Sequence, residues 1–298
     1  MIVVFLRGGL GNQMFQYALG RNLSKKYNTE LIFDTTFLDD RFPRKGLAMY
    51  SYNLDVFGIV PHRTFLSNIS TNIPVPGLWL GIDFMLLKIR DILGIRKIIK
   101  EQSFAFNQNV FLMGSNIFLW GYWQSEKYFE DIRDEIFAMF EFKTPLTGIA
   151  KDIATKIQST NSVALHVRRG DYVTAPNTRK LMGDTDIQYY ERAVAYITKR
   201  IESPRFFIIS NDATWCKENI KIPFPVTYLD DTSAGPKDIY HMQLMSLCKH
   251  NIIANSSFSW WAAWLNRNPE KIVIAPKQWM AGTLANEEDF VPSVWVRM

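Results

Sequence analysis

From about residue 160 onward, short β-branched and aromatic runs alternate with helical patterns, and this alternation limits the possible folds more than any other feature. The strand-like runs are SVALHV, RFFIIS, PVTYLD, NIIAN and KIVIAP. Between them, IQYYERAVAYITKRI sets Ile187, Tyr190, Val194, Ile197 and Ile201 at three- and four-residue steps, one face of a helix. PKDIYHMQLMSLCK and SFSWWAAWLNRN have helical length, the first with proline near its start. Such a chain folds as a parallel sheet with helices on both faces.

The first half begins alike: IVVFL, a glycine turn, the helical NQMFQYALGRNLSKKY, then LIF. Residues 35–115 are irregular. NIFLWGYW reads as a further strand and SEKYFEDIRDEIFAMF as a helix. KTPLTG, at 143–148, has linker composition. With 298 residues, 47% of them hydrophobic, the chain is long enough for two α/β domains with substantial cores, expected at 1–148 and 149–298.

In a doubly wound sheet, ligands bind beyond the carboxyl ends of the strands. Four strand ends here deliver polar groups: Arg168, Arg169, Gly170 and Asp171 after ALHV, Asn211 and Asp212 after FFIIS, Asp231 after TYLD, and Ser256 and Ser257 after NIIAN. Adjacent arginines call for an anion. Ser256 and Ser257 fall where a helix starts, and small residues there let an anion reach unpaired N–H groups. An arginine fork adds a permanent charge suited to phosphate oxygens. Together they describe a diphosphate site, beside which His166 and Asp212 are suited to read a guanine edge. The plainer alternative keeps Arg169 as an ion pair to Asp171 and Ser256 as a helix cap.

RGGLGNQMFQ follows a strand and opens a helix, and Asp34 ends the next strand 23 residues after Gly11. This imitates a dinucleotide fingerprint but puts Met14 where a small residue is needed for helix-on-strand packing. A nicotinamide cofactor is therefore disfavoured. Gly8, Gly9 and Gly11 instead let the backbone approach a ligand, with the amides of Asn12 and Gln13 offered to it.

GGLGNQMFQYA, HVRRGDY, the SND after its strand, GYWQSEKYF and ANSSFSWWAAWL occur in the order seen in the GDP-fucose α-1,2-fucosyltransferases of glycosyltransferase family 11, which the chain resembles over nearly its whole length. The resemblance implies a GT-B-like architecture of two Rossmann-like α/β domains facing a cleft. GDP-fucose would bind the C-terminal domain and a galactose-terminated acceptor the N-terminal one. Transfer would be inverting, with no cofactor and no metal. Carried onto this sequence, it implies Arg168 on the pyrophosphate with Arg169 beside it or holding the loop, His166 and Asp212 at the guanine, Ser256 and Ser257 supporting the phosphates, Phe258 packed near the nucleotide, and Asn12 facing the sugar. The segment TAPNTRKLMGDTD departs from the shared motifs, so its acceptor contacts do not transfer.

Inversion leaves negative charge on the departing diphosphate, which Arg168 and the helix N–H groups would carry. Asp171 is the candidate general base, or else only orients Arg169. Asp184-Thr185-Asp186 matches a metal-binding DxD pattern, but Asp186 stands where the next helix needs an N-cap. Tyr122 and Trp123 could stack on a sugar, although packing is the default for aromatics in a chain with nine tryptophans, and Trp260, Trp261 and Trp264 fall at helical spacing.

Net charge is +5. That excess favours anionic partners, but the arginine pair ends a buried strand instead of forming the surface stripe of a nucleic-acid binder. Cys216 and Cys248 are too few for a disulfide framework, which suits a reducing, cytoplasmic compartment. No run reaches the ~18 apolar residues of a membrane span. KIRDILGIRKIIK, at 88–100, carries five basic residues against one acidic, with apolar residues at helix-like intervals. It is expected as a lid, a solvated face or a basic amphipathic helix in peripheral contact with an acidic membrane at its inner face.

Overall fold

The computed structural model describes residues 1–40, 49–73, 75, 77–169, 186–280 and 287–298. The chain divides into two compact units, Met1–Lys143 with Ala285–Phe290, and Thr144–Leu284 with Val291–Met298.

The first unit is built on four parallel strands, β1 (Ile2–Phe5), β2 (Leu31–Asp34), β3 (Lys97–Lys100) and β4 (Ile117–Trp120), in the order β2-β1-β4-β3. Helix α1 (Leu10–Lys26) buries nearly every residue from Leu10 to Ser24, so it lies inside the unit rather than on its surface. Helix and strand approach tightly at Gly20, where an added Cβ would sit 2.6 Å from a Val4 methyl. The close approach that Met14 prevents at the start of α1 is thus made later in the helix. Short α2 (Thr36–Asp39), α3 (Phe65–Asn72), α4 (Leu78–Ile92) and α5 (Arg133–Met139) complete the layer set.

Two expectations are corrected here. Residues 125–140 do not form one helix: Ser125 caps a 3-10 turn, Phe129 leaves helical geometry at φ −142° and ψ 16°, a second 3-10 turn follows, and α5 begins only at Arg133. Tyr128 and Phe129 are both fully buried, and one helix face cannot bury two adjacent large side chains. Residues 88–100 are likewise not one helix. Gly94 takes φ +68° and the Ile95 N–H bonds back to the Arg90 carbonyl, which closes the helix. KIIK then becomes edge strand β3, with lysine at each end of a β-branched pair, a composition that discourages edge-to-edge pairing.

Asp83 lies on the inward face of α4, against Asp34 at the end of β2. Asp34 accepts from the Thr36 N–H and hydroxyl and from Ser67, so it serves the β2–α2 corner and not a ribose. Burial, and then the Asp34 charge, push the Asp83 carboxyl up to about 9. The folded state keeps a proton that the unfolded chain releases near pH 4, so stability falls as pH climbs from about 4 to about 9. Asp83→Asn holds the neutral form: at about pH 8 its Tm should exceed that of the parent by about 4 °C, and its Tm should vary less with pH. Parallel Tm–pH curves for the two proteins would remove this explanation.

The second unit has six parallel strands: β5 (Asn161–Val167), β6 (Pro204–Ser210), β7 (Val226–Leu229), β8 (His250–Ile252), β9 (Val273–Ala275) and β10 (Val296–Arg297). Their order is β10-β9-β8-β5-β6-β7. Numbered within the unit this is 6-5-4-1-2-3, the doubly wound nucleotide-binding order, and its reversal point lies between β5 and β8. The helices are α6 (Gly148–Gln158), α7 (Ile187–Thr198), α8 (Ala213–Asn219), α9 (Ile239–Leu247) and α10 (Ser257–Leu265). Tyr190, Val194 and Ile197 of α7 pack on Val163, Leu165, Phe206 and Ile208, the face that the periodicity marks. Asp186 caps α7 by accepting from the Tyr189 N–H at 2.6 Å, as expected. Asp184 and Thr185 lie outside the described residues.

Candidate functional site

The reversal point of the second sheet decides where a ligand can bind, and the residues following its two strands are those of HVRR and NSSF. Strand β5 pairs with β6 through Val167 and Ser210 and with β8 through Leu165 and Ile252, so three strand ends stand side by side.

At the end of β5, His166 is buried, with its ring 6.2 Å from that of Phe258. Burial, aided by Arg168 and His241, pushes its pKa down to about 3. The imidazole is therefore neutral at working pH, and its Nδ1 has no hydrogen-bond partner among the described residues. Arg168 and Arg169 follow, both half-buried. The Arg169 guanidinium lies 3.8 Å above the Trp215 ring, its Nε is 3.6 Å from Asp212 Oδ2, and its backbone N–H donates to Asn211. Asp212 starts α8, where its Oδ1 accepts from the Trp215 N–H at 3.0 Å. One carboxylate oxygen thus serves the helix cap while the other faces Arg169. Asp171 lies outside the described residues.

Across the reversal point, α10 begins at Ser257 with Ser256 as its N-cap residue. Among the described residues the Ser256 side chain makes no capping hydrogen bond, so Ser256 leaves the N–H groups of the first turn to other partners. The bland expectation of Ser256 as a mere cap is not met. Tyr189 steadies this edge from α7: its hydroxyl reaches the carbonyls of Ile253 and Ile274 at 2.7 and 3.1 Å. Asp230, at the end of β7, accepts from the Thr232 N–H and hydroxyl and so closes a local turn. Asp231, the residue expected at that strand end, opens the 3-10 turn Asp231–Ser233 and is exposed.

The first unit carries its own polar edge, at the reversal between β1 and β4. Gly8 has φ +77°, and any Cβ there would meet Asn12 Nδ2 at 2.4 Å, so only glycine fits. Gly9 occupies the N-cap position of α1 and Gly11 is buried in its first turn. Asn12 Oδ1 accepts from Gln124 Nε2 at 2.6 Å, which fixes the amide's orientation. Gln13 corrects an expectation. It is fully buried, its Nε2 donates to the Gly8 and Ser51 carbonyls, and its Oε1 accepts from the Asn53 N–H, so it holds the turn and faces no ligand. Arg7 stacks 4.4 Å from the Tyr122 ring and donates to its hydroxyl. Trp123 is buried, as the packing default has it, and Trp260, Trp261 and Trp264 are buried together. A cavity of about 400 Å³ beside the ends of β3 and β4 is lined by Glu101, Gln102, Phe106, Asn107, Trp123 and Tyr128 among others.

Trp215, Gln124 and Arg7 escape a reading by single motifs. Trp215 stands three residues after a helix-capping aspartate, and Gln124 and Arg7 follow the two strands that flank a reversal point. That position is the one signal by which they could be found.

Three relatives and one family profile bear on identity. An Escherichia coli alpha-1,2-colitosyltransferase is 33% identical over 302 residues, spanning 100% of this chain and 99% of that protein. The O-antigen biosynthesis glycosyltransferase WbnK, also of Escherichia coli, is 33% identical over 98% of this chain and 99% of its own length. Galactoside alpha-(1,2)-fucosyltransferase 2 of Sus scrofa is 30% identical over 51% of this chain and 46% of its own. The profile of the family described as "Glycosyl transferase family 11" matches residues 1–298. With that match end to end, and motifs that converge on the reversal point of a nucleotide-binding sheet, the chain belongs to glycosyl transferase family 11.

Proposed function

We propose that the protein transfers L-fucose from GDP-fucose to the 2-hydroxyl of a galactose-terminated glycan, with inversion at the anomeric carbon and without a metal. The supporting observation is that the Arg168–Arg169 pair and the start of α10, where Ser256 makes no side-chain cap, follow the two strands that flank the β5/β8 reversal point. These are two independent devices for binding anionic oxygen, on the two strands where the fold favours a nucleotide. Neutral His166 and the outer oxygen of Asp212 are assigned to the guanine, and Phe258 to its surroundings. In the first unit Asn12, oriented by Gln124, is assigned to the sugar, with Gly9 and Gly11 allowing its approach. The aromatic and amide lining of the Glu101–Tyr128 cavity suits a carbohydrate acceptor.

Chemically, the acceptor hydroxyl attacks C1 of fucose from the face opposite GDP. The C1–O bond to the diphosphate breaks with its electron pair, and the proton passes to a base, for which Asp171 is the candidate. Arg168 and the α10 N–H groups hold the charge left on GDP, the task a divalent cation performs in other transferases.

A second donor is favoured by one observation, the 33% identity to a colitosyltransferase. Colitose is fucose lacking its 3-hydroxyl. A site that hydrogen-bonds that hydroxyl discriminates against the deoxy sugar by about 10⁴. The deciding experiment measures Tm with GDP, GDP-fucose, GDP-colitose, NAD and oligonucleotides, then turnover onto an array of galactosides in excess EDTA. GDP and GDP-fucose should raise Tm, by about 3 kcal/mol of stabilisation at a hundredfold excess over Kd, and turnover should survive chelation. A shift with NAD or oligonucleotide alone, or activity lost to EDTA and restored by Mn²⁺, would overturn the corresponding part.

A further inference from the structure

Helix α4 is apolar on two opposite faces. Inward, Leu80, Phe84 and Leu87 pack with Phe5 and Phe118 of the sheet. Outward, Leu78, Met85, Ile89 and Ile92 are 44, 55, 43 and 83% exposed. At 100° per residue these four fall within about 60° of one another, a single stripe turned away from the core. The stripe continues past the end of the helix into Leu93 and Ile95, which are 65 and 54% exposed. An ordinary surface helix presents polar residues on that side, and a continuous row of exposed large aliphatics marks a surface that meets something apolar.

The charges around it name the occupant. Lys88 and Arg90 lie beside the stripe on α4 and are exposed; on β3, exposed Lys100 shares with Ile98 the face that packs against α4, whereas Lys97 points to the opposite face of the sheet. Asp91 is the lone acidic residue of 88–100, and its carboxylate accepts from the Ile98 N–H and so closes the turn into β3. Apolar residues inside a basic rim match a leaflet in which anionic headgroups cover acyl chains.

We propose that the outward face of α4, with Leu93 and Ile95 at its tip, docks this protein on the surface of an anionic lipid bilayer, lying in the interface without crossing it. The docking face belongs to residues 78–95; β3 contributes only charge. The first unit therefore partitions to membranes by insertion of its aliphatic stripe and by attraction of its basic rim.

The test is flotation of the full chain with vesicles of phosphatidylcholine alone and of phosphatidylcholine mixed with phosphatidylglycerol. The parent should float with the mixed vesicles and remain behind with the neutral ones, and high salt should release it. Ile92→Glu with Leu93→Glu should lower partitioning at least tenfold with Tm unchanged, since both side chains are exposed. Lys88→Gln and Arg90→Gln should each lower it about fivefold. No flotation with mixed vesicles, or equal flotation of parent and Ile92→Glu/Leu93→Glu protein, overturns the proposal. So does a concentration-dependent dimer that the glutamate pair dissolves, since a second copy then covers the face.

Discussion

Arg168→Ala should lower kcat by about 10²–10³ while leaving the far-ultraviolet spectrum and Tm unchanged. One preorganised donor to a developing oxyanion contributes on the order of 3–4 kcal/mol in a water-poor site. Negative charge grows on the GDP oxygens as the sugar bond breaks, so the loss falls on the transition state and appears in kcat as well as in kcat/KM. Arg168→Lys keeps the charge but gives up the planar fork, and should recover only part of the loss. Half-buried at the edge of the β5/β8 reversal point, Arg168 can be truncated without opening the core. Full turnover in a folded Arg168→Ala protein would remove the residue from the chemistry.

Trp260→Ala should cost about 3–5 kcal/mol and lower Tm by about 10 °C, with the denaturant midpoint shifted and its slope unchanged. Trp260 packs against Trp261, Trp264 and Trp295, with ring centroids 5.0, 6.4 and 5.4 Å away, and has 1% of its surface exposed. No small side chain fills that space. Trp260 also lies one turn from Ser256, whose carbonyl accepts from its N–H. Surviving folded Trp260→Ala protein should therefore bind GDP more weakly, because the first turn of α10 loses its backing. A loss under 1 kcal/mol would mean that the neighbouring rings collapse into the void.

How much was legible in the chain depends on how far each residue's partners lie from it. The second sheet was readable because SVALHV, RFFIIS and KIVIAP are buried on both faces and leave continuous apolar runs. The Asp186 cap and the α7 face were readable because both are local rules. Residues 125–140 misled, since SEKYFEDIRDEIFAMF reads as one helix while the burial of Tyr128 beside Phe129 is imposed by distant contacts: the Tyr128 hydroxyl accepts from the Asn107 N–H and its carbonyl from Asn22. β3 was hidden for a related reason. KIIK continues the aliphatic spacing of α4, and only residues 93–96, with one glycine among them, separate the two. At the site, strand ends could be recognised one by one, but Trp215 beneath Arg169 and Gln124 behind Asn12 are pairings across 46 and 112 positions of the sequence. Gln13 shows the converse: a polar residue in a ligand-facing motif can be wholly engaged by its own turn.

Near its carboxyl end the chain returns to the first unit. Asp289 accepts from the Phe106 N–H and pairs with Lys127, and the Phe290 ring lies 5.2 Å from that of Phe104. A fragment ending at residue 143 would expose those rings and leave the Phe106 amide without its acceptor. The first half is thus not an independently expressible piece, and scission near residue 143 should leave it aggregation-prone. Ribosomal synthesis must in turn reach residue 290 before the part that emerged first can finish folding.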